Sequence, residues 1–165
     1  MSNMIPSGGV LKVAPGTLAD RDFSSGDGGR LTVDKQRHRL PIRLRLTDGT
    51  DVTTVSKVTH VTQASGVIDS IEAMPNTAPA GGGDKKWTVD VKKSTGAGAF
   101  ATVLSAVVTI DTTSVDRRLQ VGALSTAAIA YVDGDLFQVV VTATGATGSQ
   151  GQGGCVTLWL DEQAP

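Results

Sequence analysis

The stretch Asp84–Asp111, DKKWTVDVKKSTGAGAFATVLSAVVTID, decides the fold class of this chain. Apolar and polar residues alternate over Lys86–Lys92, and the apolar positions carry tryptophan and valine. A period of two with aromatic and β-branched residues is typical of a β-strand with one buried face. The glycine-rich tip Ser94–Gly98 then reverses the chain, and Phe100–Ile110 supplies a second extended run. The stretch therefore predicts a hairpin-like β unit.

The rest of the chain repeats this pattern. Apolar residues alternate along Leu40–Leu46, Phe137–Ala143 and Val156–Leu160, while the apolar residues of Gly66–Ala73 break strict alternation in the way a β-bulge does. Only Thr126–Ala130 is ambiguous, since it fits either one helical turn or a loop. About eight short strands with Gly, Ser, Thr and Asn turns predict an all-β, antiparallel two-sheet sandwich of the jelly-roll type. In each alternating strand, every second residue points to the same side of the sheet. The apolar side of successive strands assigns eight residues to one core between the sheets: Trp87, Val89, Val91, Val108, Ile110, Val139, Val141 and Leu158.

Composition excludes several classes of function. The 165 residues carry a net charge of −1, so no global field attracts nucleic acid or a membrane surface. No apolar run approaches membrane-spanning length, and the N-terminus lacks the pattern of a signal peptide. The single cysteine, Cys155, can form no intramolecular disulfide. We therefore expect a soluble protein, made in a cytoplasm, without nucleic-acid or membrane partners.

The N-terminal residues differ in composition from the body. Residues 1–29 contain Pro6, Pro15 and a cluster of glycines that ends in the joint Ser24–Gly29. This composition predicts an extended arm over residues 1–29 that becomes ordered on a partner, followed by the β-sandwich domain over residues 30–165. A floppy terminus explains the same composition equally well.

One basic stripe stands out. Arg37, Arg39, Arg43 and Arg45 share the polar side of the strand whose apolar side holds the alternating leucines and isoleucine. Pro41 lies within this strand and cannot donate to a β-ladder, which predicts a position at a sheet edge or a strand that begins there. The stripe is either a solvated face that discourages edge pairing or a docking surface for an acidic partner.

The sequence offers little catalytic chemistry. His38 and His60 lie among polar strand residues, and no G-x-S-x-G nucleophile motif is present. The acidic segments 48–51 and 133–135 predict hairpin turns, because neither has the ligand spacing of a calcium loop. The loop Gly145–Gly154 lacks the lysine and the helix of a phosphate-binding loop. We therefore expect no enzymatic activity, no catalytic residues, no cofactor and no metal site.

Part of the chain resembles a known module. The segments WTVDVKKSTGAGAFATVLSAVVTID (87–111) and YVDGDLFQVVVTATG (131–145) are similar to a β-sandwich module that is frequent in virion proteins of tailed phages. In that module a TVDVKK strand, a TIDT-like strand end and a DGD segment before a valine-rich strand recur in this order. The resemblance covers roughly residues 61–160 and rests on strand and turn patterns. It implies a structural part of a virion, most like a capsid decoration or cement protein.

Three functions follow as hypotheses. The first is a decoration protein on the outer capsid surface, assembled in the host cytoplasm. Its partners are the major capsid protein, contacted by the arm and the arginine stripe, and two further copies in a homotrimer that uses Leu136, Val140 and Trp159. The second is a receptor- or carbohydrate-binding sandwich of a head or tail fibre, with Trp159 and Tyr131 as stacking platforms. A hydrolytic enzyme ranks last, because six aromatic residues in all are too few for a sugar-cleaving groove.

Overall fold

The structure is all-β throughout the part that can be described. The computed structural model describes residues 5–7, 10–12, 37–81, 84–96, 98–145 and 150–163. Two short strands near the N-terminus, β1 (Ile5–Ser7) and β2 (Val10–Lys12), pair antiparallel with each other. Within these ranges we find no helix that is long and apolar enough to cross a membrane. The predicted boundary between arm and domain, at residues 29 and 30, lies outside the described residues.

Ten further strands form the body. In chain order they are β3 (Arg37–Asp51), β4 (Val55–Val61), β5 (Gly66–Thr77), β6 (Lys86–Ser94), β7 (Ala101–Thr102), β8 (Val108–Asp111), β9 (Gln120–Val121), β10 (Ala130–Tyr131), β11 (Leu136–Thr144) and β12 (Gln152–Gln163).

The body is a sandwich of two antiparallel sheets. In the front sheet the strand order is β10–β5–β12–β3, and β9 also pairs with β5. In the back sheet the order is β4–β11–β6–β7, and β8 also pairs with β6. Here β7 with β8, and β9 with β10, each count as one interrupted strand. The chain changes sheets at every connection from β3 to β6, stays in the back sheet from β6 to β8, and then changes sheets at every further connection. This is the strand order of an eight-stranded jelly roll, as predicted.

The predicted core is confirmed. All eight residues assigned to it by parity are buried, and none exposes more than 6% of its surface. They pack with isoleucine, valine and leucine residues on the inner face of the front sheet, such as Ile71, Val156 and Leu160. The alternation seen in the sequence therefore reflects one apolar layer between two pleated sheets.

The second run of the opening stretch is less regular than predicted. Phe100–Ile110 is interrupted between β7 and β8, and Ala106, which alternation predicts on the same face as Leu104, Val108 and Ile110, is exposed. The interruption has a physical cause: the Ser105 amide donates to the Ala123 carbonyl, and Leu104 forms an isolated bridge with Leu124. The chain thus leaves its sheet to bond with the segment that leads from β9, and buried Leu104 closes that side of the sandwich.

The bulge predicted in Gly66–Ala73 is confirmed, whereas the turn predicted at residues 48–51 is wrong. Against β12, Trp159 pairs with Ser70 and Leu160 with Ile68, which leaves Asp69 as the extra residue. Residues 47–50 also bulge from β3, which continues to Asp51 without reversing direction. The strand continues because its register with β12 resumes beyond the bulge.

Candidate docking surface

Strand β3 forms one edge of the front sheet. It pairs with β12 along nearly its whole length, and no other described strand pairs with it. Pro41 lies opposite Trp159 in this ladder. Four residues of β3 precede it and ten follow it, so the strand does not begin at the proline. A proline is tolerated in a strand where its nitrogen faces the free side. The predicted edge position is therefore confirmed.

The arginines occupy the outward-facing positions of this edge. Leu40, Ile42, Leu44 and Leu46 pack against the core, so the residues between them face the other way. Arg39, Arg43 and Arg45 are exposed. Arg37 belongs to the same strand, but its side chain lies outside the described residues.

Arg39 is held by neighbours on the outer face of the front sheet. Its Nη2 lies 2.5 Å from Oδ2 of Asp69, the bulged residue of β5. Its guanidinium carbon also lies 4.3 Å from the centre of the Trp159 ring, which is a cation–π contact. The Trp159 indole nitrogen in turn donates to Oε2 of Glu72 at 2.9 Å. This network fixes one end of the arginine stripe.

Arg43 and Arg45 differ from Arg39. Among the side chains that the structure describes, neither arginine has a carboxylate within ion-pairing distance. In the β12 ladder Arg43 lies opposite Thr157 and Arg45 lies opposite Cys155, and neither of these ladder partners is an acidic residue. Two exposed guanidinium groups therefore remain available to an acidic partner at the free edge.

A shallow cavity of about 220 Å³ adjoins these arginines. It lies where β3 of the front sheet turns into β4 of the back sheet. Arg45, Lys57 and Asp51 line it beside the apolar side chains of Leu44, Leu46 and Val52. In register, Lys57 lies opposite buried Val139, so this lysine stands at an inward-parity position of an edge strand. The corner thus combines two cations and one carboxylate with an apolar floor, and the sequence pattern of the arginine stripe did not reveal this combination.

The two-ring platform predicted for a carbohydrate is wrong. Tyr131 is only 2% exposed and packs edge-on against Phe137, with 5.6 Å between the ring centres. Trp159 lies on the outer face of the same sheet, and Arg39 covers its ring. The two aromatic residues therefore face opposite sides of the front sheet and cannot stack on one ligand.

The residues predicted for subunit contact also divide between two surfaces. Leu136 and Val140 lie on the outer face of β11 in the back sheet, since their neighbours Phe137, Val139 and Val141 are buried. Trp159 lies on the outer face of the front sheet. All three side chains are partly exposed. A contact that uses all three must bring two different faces together.

Sequence reasoning missed the acidic partners on β5. Asp69 and Glu72 come next to Arg39 and Trp159 only through the pairing of β5 with β12, which the sequence does not specify. The broken alternation around Asp69 was the one available signal, because a bulged residue is redirected out of the regular pattern.

Comparison with known proteins adds no relative. No protein-family model matches the chain, and neither the curated proteins nor the solved structures yielded a match. Within the described part of the chain, no three or more His, Cys, Asp or Glu side chains are grouped so that they could hold a metal ion.

Proposed function

We propose that this protein is a virion structural protein that binds the outer surface of a phage head and stabilises neighbouring capsid subunits. The observation that carries the proposal is the exposed pair Arg43 and Arg45 on the free edge of β3. The cavity beside them adds Lys57 and an apolar floor, and with one carboxylate, Asp51, in its lining the corner keeps a net positive charge. Such an edge fits an acidic patch of a capsid protein, with an apolar residue entering the cavity. The resemblance to phage β-sandwich modules supports the same context.

The position of β3 also links the edge to the N-terminal residues. β3 is the first strand of the sandwich, so the chain preceding residue 37 joins the body on the arginine strand. A predicted arm over residues 1–29 would therefore join the arginine strand at its Arg37 end, about 20 Å along the strand from Arg43. Arm and arginines together form one contact with a capsid.

Multivalency explains how such a contact becomes tight. An exposed ion pair contributes only about 0.2–1 kcal/mol, so two arginines alone give weak binding. A closed homotrimer presents three copies of each weak contact, and linking contacts raises avidity by about 10²–10⁴. A three-fold ring needs a heterologous interface, in which two different patches meet. Leu136 and Val140 on one face, and Trp159 with Arg39 stacked on its ring on the other, supply two such patches.

The alternative, a receptor- or carbohydrate-binding sandwich of a fibre, draws less support from the structure. Tyr131 is buried, and the Trp159 ring is occupied by Arg39. A single covered ring is a poor stacking platform for a sugar. The decoration function is therefore the one that the geometry favours.

Capsid binding by charge variants tests the proposal. Purified protein is mixed with heads that lack it, and the bound fraction is measured by sedimentation at low and at high salt. We expect Arg43→Gln/Arg45→Gln to bind much more weakly than the native protein at low salt. The native protein should itself lose affinity at about 1 M salt, where the screening length falls to about 3 Å.

The matched control removes two positive charges elsewhere. Lys92→Gln/Arg118→Gln changes the net charge by the same amount, and both residues lie outside β3. We expect this control to bind like the native protein. Equal binding by the two double variants would contradict the proposed docking edge.

Deletion of residues 1–29 tests the arm and the trimer separately. We expect the truncated protein to lose capsid binding and to remain a trimer by light scattering. A monomer with undiminished capsid binding would contradict both parts of the proposal.

A further inference from the structure

The hydrogen bonds of the front sheet show which way the backbone groups of each strand point. The Gly122 amide donates to the Ile71 carbonyl. In an antiparallel ladder, this bond makes the neighbouring residues Glu72 and Val121 a non-hydrogen-bonded pair. The amide and carbonyl of Glu72 therefore point away from β9, toward its ladder partner Thr157 in β12.

The same alternation continues to the free edge of β3. Thr157 turns its amide and carbonyl toward β5, so its pair with Arg43 on the other side is non-hydrogen-bonded. The amide and carbonyl of Arg43 consequently point away from β12, and those of Arg45, two residues further on, do the same. Pro41 belongs to this set as well, which is why its missing amide proton leaves the ladder intact. No strand in the described part of the chain bonds to these groups of Arg43 and Arg45.

A strand that paired antiparallel with this edge would contact it with a period of two. Its residues opposite Arg43 and Arg45 would lie on the outer face, with Cβ atoms about 4.5–5.5 Å from those of the arginines. The residue between them would lie opposite Leu44 and would point inward. Leu44 lines the cavity of about 220 Å³ at this corner. A cavity of roughly 150 Å³ already holds a benzene-sized group, so this one has room for an apolar side chain.

The charges of the edge select its occupant. Two acidic residues, one opposite each arginine, would match the charge of Arg43 and Arg45, and Lys57 adds a further cation at the cavity. A second copy of this chain fits poorly. Antiparallel pairing of two β3 edges would place arginines opposite arginines, and like charges directly opposite each other destabilise a sheet. The edge therefore suits a foreign acidic strand and discourages self-pairing.

We propose that an extended segment with acidic, apolar and acidic residues in alternation adds to β3 as an antiparallel strand, an inference that rests on the proposed function because it names the segment of the capsid protein that binds. Backbone bonds to Arg43 and Arg45 supply affinity in this mode of recognition. The two carboxylates on the outer face and the apolar side chain in the cavity supply specificity. Main-chain bonds thus supplement the two weak ion pairs.

Binding of short peptides to the full-length protein tests the inference without a capsid. The probe is the peptide TTDLDTT, capped at both ends, and its affinity is measured by NMR titration of isotope-labelled protein. We expect the amide signals of Arg43 and Arg45 to shift. The peptide TTDDLTT has the same composition and charge but places Leu on the outer face. It should bind at least about tenfold more weakly, because the apolar side chain is not buried. Equal affinity of the two peptides would overturn the inference.

Methylated peptides distinguish an added strand from a purely ionic contact. Methyl groups on the amide nitrogens of both Asp residues of TTDLDTT keep the charge and remove the donors that face β3. We expect this peptide to bind at least about tenfold more weakly, since two hydrogen bonds are lost. The matched control carries its two methyl groups on Leu and on the Thr after the second Asp, whose amides face away from β3, and should bind like the unmodified peptide. Undiminished binding by the Asp-methylated peptide would overturn the added strand.

Hydrogen exchange in the free protein tests the geometry of the edge itself. The amides of Arg43 and Arg45 should exchange faster than those of Ile42 and Leu44, which bond to β12. Slow exchange of all four amides would overturn the inference, because the edge would already be paired.

The peptide and capsid assays fail independently. If Arg43→Gln/Arg45→Gln loses capsid binding but TTDLDTT does not bind the native protein, the docking edge stands and the added strand is overturned. If TTDLDTT binds at β3 while the double variant still binds capsids normally, the strand site stands and the proposed capsid contact is wrong.

Discussion

Replacement of Val91 by aspartate tests the two-sheet core. Val91 lies in the middle of β6, is fully buried and faces Val139 across the ladder with β11. Its backbone carbonyl also accepts the Val103 amide, so the strand is bonded on both sides at this point. A carboxyl group there would face an apolar layer on the inner side of the back sheet.

The expected decrease in the free energy of unfolding has two contributions. Removing a buried valine side chain forfeits about 1.5–3 kcal/mol of apolar burial. Burying a carboxyl group without a hydrogen-bond partner adds roughly 2–7 kcal/mol, and the group is protonated to avoid a buried charge. The sum, about 4–10 kcal/mol, is comparable with the whole stability of an ordinary domain, which is about 5–15 kcal/mol. We expect Val91→Asp to unfold at a much lower urea concentration or to be unfolded without urea.

The same replacement at an exposed valine shows whether burial of the side chain causes the loss of stability. Val58 lies in β4 and is 52% exposed, so the same replacement there should change the free energy of unfolding by no more than about 0.5 kcal/mol. Urea unfolding, followed by tryptophan fluorescence and by circular dichroism, measures both variants. Equal midpoints for Val91→Asp and Val58→Asp would refute the assignment of the core.

Three further predictions concern packing and titration. Gly66→Ala should destabilise the fold by about 1–3 kcal/mol in urea unfolding, because its Cβ would lie 2.3 Å from the Asp161 carbonyl oxygen, a backbone atom. Tyr131 is the chain's one tyrosine, and burial makes its pKa higher in the folded protein than in the unfolded chain. As the pH rises above 10.0, the unfolded chain therefore loses the phenol proton before the folded protein does, and the stability of the fold should decrease. Tyr131→Phe should lose this contribution to the pH dependence of the unfolding midpoint in heat-unfolding scans. Hydrogen bonds from Thr113 lower the pKa of Asp111 below 3.8, so this carboxylate stabilises the fold above that pH and the contribution is lost on acidification; Thr113→Ala should raise the pKa in an NMR titration, and an unchanged value would contradict the account.

The parity of the strands could be predicted from the sequence because the pleat of a β-strand has a fixed period. Each core residue predicted on β6, β11 and β12 is buried, since alternation reports directly which side faces the core. Pro41 likewise marked an edge, because a missing amide proton is tolerated only on a free side. The bulge around Asp69 was visible as a break in the same alternation.

Strand pairing could not be predicted, and most of the site depends on it. Arg39 meets Asp69 only because β3 and β5 flank β12, and no local pattern specifies that order. The same applies to the ion pair of His60 and Glu162, whose strands β4 and β12 belong to different sheets. A local rule also misled at residues 48–51, where an Asp-Gly pair allows a bulge as readily as a hairpin because Gly49 adopts a positive φ of 72°.

Tyr131 shows a related limit of the sequence. It lies in β10, a strand of two residues, which is too short for alternation to indicate a face. Its burial follows from the neighbouring glycine in β5, and that contact is again set by pairing. The arginine stripe, in contrast, was predictable because its whole pattern lies within one strand.

The most direct test of the central claim is the number of copies of this chain in a purified phage particle. Quantitative gel or mass-spectrometric measurement against the major capsid protein gives that ratio without any assumption about the docking edge. A decoration protein that clamps neighbouring capsid subunits must occupy equivalent positions over the whole shell, so we predict hundreds of copies in a fixed ratio to the capsid protein. A few dozen copies or fewer would contradict the account and would place the chain in a fibre.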